Sequence, residues 1–189
     1  MQGPVLLFLR HLELALRLHS AVPALDVGDA YAHACAAIEA SSPGVEPELL
    51  LAIAYIESRF DSTATSRVEG TQRKTGHYAG FAPPDRLNPH ASLYCGPLQT
   101  FASTWQECLS QRDLSTAYAA AVSELETWLR DRRVHGDVTR ALAGHGCGNY
   151  GVTTGKCNEY PSRVLGIEHR FSVRRASSAR VQARVLPRS

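Results

Sequence analysis

One stretch limits the folds open to this chain more than any other. Val45 to Phe60, VEPELLLAIAYIESRF, is a dense apolar run with a single carboxylate near its end. Leu49, Ile53, Ile56 and Phe60 recur at steps of four, three and four, the period of one helical face, and predict a buried helix. Ser41, Ser42, Pro43 and Gly44 break the chain just before it, Pro47 fits only a first helical turn, and Glu46 and Glu48 suit the positive end of a helix. Glu57 follows Ile53 by four residues and Ile56 by one, which places it at the edge of the apolar stripe. A carboxyl at such an edge is partly desolvated, and desolvation disfavours the ionised form, which is what a general acid working near neutral pH requires. For this residue taken alone, an ordinary surface glutamate at a helix end is the competing reading.

The 189 residues are enough for one domain with tails and a real core. The expected division is an apolar or amphipathic N-terminal segment over 1–25, a domain over 26–172 and a basic tail over 173–189. Formal net charge is only +2, yet Arg174, Arg175, Arg180, Arg184 and Arg188 crowd the end of the chain. No base-reading motif accompanies those arginines, so nucleic acid is not an expected partner. There is no internal repeat and no apolar run long enough to span a bilayer. None of the five cysteines forms a Cys-x-x-Cys and the eight histidines include no His-Glu-x-x-His, so neither a metal nor another cofactor is expected. Cys147 and Cys157 flank the Gly-rich CGNYGVTTGKC, where a bridge would staple a loop, and Cys95 and Cys108 are a second candidate pair. Such pairing implies an oxidising compartment, with Cys35 left over. Five thiols in a reducing cytosol is the alternative.

At the N-terminus, Val5 to Leu9 is apolar and Leu12, Leu14, Leu16 and Leu18 follow, but Arg10, Glu13 and Arg17 interrupt the stretch a secretory leader would need. Two readings stand: a cleaved leader, or an amphipathic helix packed on the domain. Asp26 to Ala40 predicts a helix with Val27, Ala30, Tyr31, Ala34 and Ile38 on one side. Asp61 to Ser66 is a polar exit turn, in which Asp61 is expected to cap or turn the chain. Residues 67–94 carry several Gly and Pro and neither structural period, which predicts a long loop of the kind that serves as a lid or binding segment. Within it Tyr78, Phe81 and Tyr94 could stack on a ligand, and Asp85 could supply a second carboxylate. Leu98, Phe101, Trp105 and Leu109 fall at helical steps, with Gln99 outside their stripe. Asp113 to Arg132 is the longest helix candidate, burying Leu114, Ala117, Ala121, Leu125, Trp128 and Leu129. Thr139 to Gly144 is a short helix leading into the stapled loop, and Tyr160 to Phe171 places Tyr160, Val164, Ile167 and Phe171 on one face.

The order of short motifs resembles the lytic transglycosylase family of the SLT type, within the lysozyme superfamily. Glu57-Ser58-Arg59-Phe60 matches that family's Glu-Ser-x-Phe, with Val45-Glu46-Pro47 as its lead-in. Gly96-Pro97-Leu98-Gln99 stands for Gly-Leu-Met-Gln, and Ala102-Ser103-Thr104 for the Pro-x-Thr that follows. Gly144-His145-Gly146-Cys147-Gly148 occupies the place of Ala-Tyr-Asn-Ala-Gly, and Tyr160 with Val164 that of a late Tyr-Val motif. The resemblance spans roughly residues 26–171. It departs from the pattern at Pro97, at His145-Gly146 and in the length of 67–94.

The resemblance implies a mainly α, lysozyme-like helical domain with a long loop inserted after the catalytic helix. It also implies cleavage of the β-1,4 bond between N-acetylmuramic acid and N-acetylglucosamine in peptidoglycan, leaving a 1,6-anhydro sugar. Glu57 would be the catalytic acid and base, with Ser58, Gln99 and Tyr160 around the substrate, joined by Tyr78 from the loop and His145 from the altered fourth motif. The expected setting is the cell envelope or the exterior, with peptidoglycan glycan strands as partner and the chain a monomer. The alternatives are a goose-type lysozyme or chitinase-like hydrolase using Asp61 or Asp85 to activate water, and a peptidoglycan-binding module with weak turnover.

Overall fold

A computed structural model describes residues 4–69, 72–74, 92–157 and 159–172. The elements run α1 (Pro4–Ala21), α2 (Val27–Ala40), α3 (Pro47–Ser58), β1 (Thr65–Glu69), β2 (Gln72–Lys74), β3 (Ser92–Cys95), β4 (Thr100–Ala102), α4 (Trp105–Ser110), α5 (Leu114–Arg130), α6 (Val138–Thr154) and α7 (Tyr160–Ser172). The expected mainly α, lysozyme-like architecture is what the chain adopts, with one small antiparallel sheet of order β2-β1-β3-β4.

The core forms around α3. Pro47 sits in its first turn, and Leu49, Leu50, Leu51, Ala52, Ile53 and Ala54 are all buried, so apolar burial extends well beyond the single stripe read from the sequence. A helix apolar on nearly every side is stable only inside other elements, and α2, α5 and α7 pack around it. The helix starts follow local chemistry. Asp26, Asp113 and Asp137 each accept a hydrogen bond from the backbone N–H three residues on, capping α2, α5 and α6. Thr104 does the same for α4, accepting from the Glu107 N–H, while the Glu107 carboxylate accepts from the N–H and hydroxyl of Ser103.

Helix α1 packs on α2 and α7 through its second half, where Leu14, Ala15 and Leu18 are buried. Arg17, which breaks the apolar run in the sequence, is a clasp. Its Nη1 donates to Glu48 Oε1 of α3 at 3.4 Å and to the Phe171 carbonyl of α7 at 3.2 Å.

Several sequence expectations are revised. The loop expected over 67–94 contributes β1, β2 and β3 at its margins, while residues 75–91, with Tyr78, Phe81 and Asp85, lie outside the described residues. The helix expected from Leu98 begins only at Trp105. Phe101 is in β4 opposite Tyr94 of β3, 48 % exposed, because cross-strand pairing rather than helical period sets its place. The stapled loop expected after Gly144 is mostly helix: α6 continues to Thr154 through a break at Gly148 (φ 58°, ψ −151°). That backbone conformation is open essentially to glycine alone. Val27, expected on the buried side of α2, is exposed, and His33, Ala36 and Ala37 are buried.

Cysteines pair as Cys95–Cys108 and Cys147–Cys157, leaving Cys35 free. The first bridge ties β3 to α4 around a small second core of Leu93, Cys95, Ala102 and Cys108. Replacing Cys95 and Cys108 together by Ser should lower stability by about 2–3 kcal/mol, read as an earlier urea midpoint.

His33, 3 % exposed, links three elements: its Nδ1 lies 2.9 Å from the Tyr118 hydroxyl of α5, and its ring also hydrogen-bonds the Phe60 backbone just after α3. Burial pushes its pKa down to about 4, against a smaller upward pull from the Phe60 bond. Between the ordinary value of 6.5 and about 4 the unfolded chain therefore binds a proton that the folded chain refuses. Stability contributed by neutral His33 is complete above pH 6.5, declines as pH falls through this window and levels off below about 4. The thermal midpoint should drop across it, and His33→Asn should flatten the slope.

Candidate functional site

Glu57 lies in the last turn of α3 and is half-buried, at the margin of the apolar face as its spacing predicts. The chain then turns sharply. Arg59 (φ 59°) and Phe60 (φ 70°) are consecutive left-handed residues, and neither is glycine. That conformation costs an ordinary side chain roughly 1–2 kcal/mol per residue. The Arg59 N–H bonds the carbonyls of Ala54 and Tyr55, and the Phe60 N–H bonds that of Ala54, so the turn satisfies the helix end. The side chains supply the rest. The Arg59 guanidinium stacks 4.0 Å above the Tyr55 ring. The buried Phe60 ring meets His33 edge-on at 4.9 Å and lies 6.1 Å from Tyr55.

Ser58, 5 % exposed, donates its hydroxyl to the Pro97 carbonyl at 2.8 Å, with the Ala54 carbonyl at 3.3 Å. The residue beside Glu57 thus docks the turn between β3 and β4 on the end of α3. Gly96 in that turn has φ 71°, and a Cβ there would stand 2.4 Å from the Gln111 carbonyl oxygen, so both backbone and space require glycine. Gln99, also left-handed and buried, donates from Nε2 to the carbonyls of Gly96 at 2.9 Å and Ala64 at 3.1 Å. Its amide nitrogen is committed to holding the turn.

A second group forms where α6 meets α5 and α7. Gly144 lets the Trp128 ring of α5 approach, since a Cβ would lie 2.4 Å from it, and Gly146 lets the Tyr160 ring lie against α6, where a Cβ would stand 2.6 Å away. The Gly-x-Gly spacing of the fourth motif is therefore a packing requirement. His145, between them, is 7 % exposed, with Nδ1 3.2 Å from Glu124 Oε1 of α5 and its ring centroid 6.2 Å from that of Tyr160. Half-buried Tyr160 opens α7, which packs along α3.

The sequence-named residues thus fall into two groups. Ser58 and Gln99 assemble with Glu57 through the turn at 96–99. Tyr160 and His145 assemble on the α6–α7 junction, and the described contacts connect the two groups by helix packing. Tyr78 lies outside the described residues. Asp61 behaves as the turn residue it was expected to be, its Oδ1 accepting from the N–H of Thr63 at 2.8 Å and from its hydroxyl at 2.7 Å. Sequence reading missed the supporting set of Tyr55, Arg59, His33 and Tyr118, for which no motif gives a signal. No group of three or more His, Cys, Asp or Glu side chains disposed to hold a metal occurs among the described residues. A cavity of about 600 Å³ lies along α6, walled by Arg133, Asp137, Arg140 and Thr153 among others, and Glu57 takes no part in it.

Comparison with known proteins adds one finding. The family model described as "Transglycosylase SLT domain" matches residues 34–138, more than half of the chain, a span that holds both the Glu57 helix end and the turn that Ser58 anchors. No curated protein and no solved structure matches. Proteins with this domain act on peptidoglycan in the cell envelope, generally as lytic transglycosylases. Its motifs, its helical architecture and this match together establish that the chain belongs to the SLT transglycosylase domain family.

Proposed function

We propose that the protein is a peptidoglycan lytic transglycosylase that cuts the β-1,4 bond between N-acetylmuramic acid and N-acetylglucosamine and releases a 1,6-anhydro-muramyl end. The observation that carries the reading is a half-buried carboxylate at a rigidly held helix end, next to a serine bonded to the facing turn. Asp61, the nearest acid in sequence, is meanwhile occupied in holding its own turn.

Most glycosidases pair two carboxylates, but substrate assistance needs only one. In the first step the protonated Glu57 donates to the glycosidic oxygen as the bond to C1 breaks, and the 2-acetamido carbonyl oxygen of the muramyl sugar stabilises the positive centre. The N-acetylglucosamine side leaves with the proton. In the second step the Glu57 carboxylate takes the proton of the muramyl 6-hydroxyl, O6 bonds to C1, and the acetamido group is released. Glu57 is then protonated again, and no water is consumed. Ser58 keeps the helix end and the 96–99 turn in register, and Gln99 shapes that turn. Tyr160 and His145 form the second wall, and Tyr78 is the candidate contact from the long connection. Two disulfides suit work outside the reducing cytoplasm.

Digesting purified peptidoglycan and weighing the muropeptides tests the reaction. Wild type should release products lighter by one water than a lysozyme digest. Products of hydrolytic mass would identify a goose-type hydrolase instead. Glu57→Gln should lower turnover by roughly 10²–10⁴ fold while still pelleting with peptidoglycan. If wild type and variant bind alike and neither clears a cell-wall suspension, the chain is a binding module.

Ser58→Ala removes one buried hydrogen bond, worth about 1 kcal/mol of stability. Because that bond registers the turn against Glu57, kcat should fall several-fold more than KM rises, measured on soluble glycan strands at a temperature where both proteins are folded.

A further inference from the structure

The two disulfides differ in how far solvent reaches them. Cys95 and Cys108 are 1 and 2 % exposed and lie inside the small second core. Cys147 is partly exposed, although its partner Cys157 is only 6 % exposed. Thiol–disulfide exchange needs a thiolate to reach one of the two sulfurs, so a reductant in solution meets the Cys147–Cys157 bridge first.

That bridge closes a ring of contacts around Tyr160. Cys147 directly follows Gly146, and the Tyr160 ring rests on Gly146, where a Cβ would stand 2.6 Å from it. From the other cysteine, the Cys157 carbonyl accepts the Tyr160 N–H at 2.7 Å. Tyr160 is thus held by its ring on one side of the disulfide and by its backbone on the other, and the two holds are joined covalently by the bridge. Without the bridge they are joined only through residues 148–156, which grip the domain weakly. That stretch starts at the Gly148 break, Gly151 is its one buried residue, and Tyr150 is 62 % exposed. Its contacts include the Arg133 Nη2 bond to Asn149 Oδ1 at 3.0 Å and the close approach of Gly151 to the Ala143 carbonyl. The rest of α7 needs no such help, since Val164 and Phe171 belong to the main core. A segment with few buried apolar contacts opens locally at far lower cost than the whole fold.

We propose that the Cys147–Cys157 disulfide is a redox latch on the wall formed by Tyr160 and His145. Closed, it holds Tyr160 against α6; opened by a dithiol, it frees the first turn of α7 and slows turnover while the domain stays folded. The latch rests on the reading of Tyr160 and His145 as part of the glycan site. In the opening reaction one thiolate of the dithiol attacks the Cys147 sulfur and displaces the Cys157 thiolate. The second thiolate of the reductant then attacks its own sulfur in the mixed disulfide, which closes the oxidised dithiol and releases Cys147. Two electrons pass to the protein, and the two protons of the dithiol end on the two cysteines.

Graded reduction of the full chain with dithiothreitol, followed by alkylation and peptide mass mapping, tests the order of opening. Against the background label on the free thiol of Cys35, Cys147 and Cys157 should be alkylated at roughly tenfold lower reductant than Cys95 and Cys108. At the dose that opens only the first pair, amide exchange should quicken in 148–156 and at Tyr160 but not in α3 or α5. At that dose kcat on soluble glycan strands should fall roughly tenfold and return on reoxidation. The double variant Cys147→Ala with Cys157→Ala should match the reduced protein, and the same dose of dithiothreitol should not slow it further. Simultaneous labelling of both bridges, unchanged exchange in 148–156, or full turnover after selective opening overturns the latch. Exchange that quickens throughout α3 and α5 also overturns it, since the bridge would then hold the whole fold. If the oxidised protein cuts no glycan, the enzymatic reading fails instead. The latch is then judged on pelleting with peptidoglycan, which opening should weaken, and undiminished pelleting overturns it.

Discussion

Everything in this fold answers to the burial of α3. Six successive residues, Leu49 to Ala54, are at 5 % exposure or less, and a helix that presents no polar side can be stable only if other elements enclose it. Helices α2, α5 and α7 do so. The enclosure also creates the one place where α3 can meet solvent, its C-terminal turn. There the chain accepts two unfavourable left-handed residues and recovers the cost through the Arg59–Tyr55 stack and the packing of Phe60 on His33. The half-buried position of Glu57 follows from where the enclosure ends.

Charged residues in this molecule fix geometry more than they add stability. Arg17 and Glu48 have side chains 11 % exposed and stand 3.4 Å apart. A pair withdrawn from water to that degree returns little net free energy, since desolvation offsets the attraction. Its effect is directional: one guanidinium sets α1, the start of α3 and the end of α7 against one another. The Ser58 bond to Pro97 does the equivalent task at the opposite end of α3, holding the sheet side of the molecule to the helical side.

How much could be read beforehand depends on the range of the interaction responsible. Pro47, Asp113 and the apolar steps of α3, α5 and α7 act within a few residues of where they are written, and those helices lie close to where they were expected. The half-buried place of Glu57 at the end of α3 was legible for the same reason, and so was the turn made by Asp61. The sheet was not. Its strands are three to five residues long, and β3 finds its partner β1 across a separation that no local pattern encodes. Phe101 fell in helical step with Leu98 and Trp105, and only pairing with Tyr94 placed it in a strand. Gln99 and His145 were named as substrate contacts; that the Gln99 Nε2 donates to the carbonyls of Gly96 and Ala64, and that the His145 ring lies beside Glu124 of another helix, depends on chain partners too distant for any motif to show.

The packing of α7 bears on how a domain like this can be excised. The segment by which the family is recognised stops at residue 138, the first residue of α6 and well ahead of α7, yet Val164 and Phe171 of α7 are part of the same core as Leu50 and Ile53 of α3. A fragment cut at the recognised limits would keep Glu57 and Ser58 and lose one wall of the helix that carries them. What suffices to classify this chain is therefore smaller than what suffices to fold it.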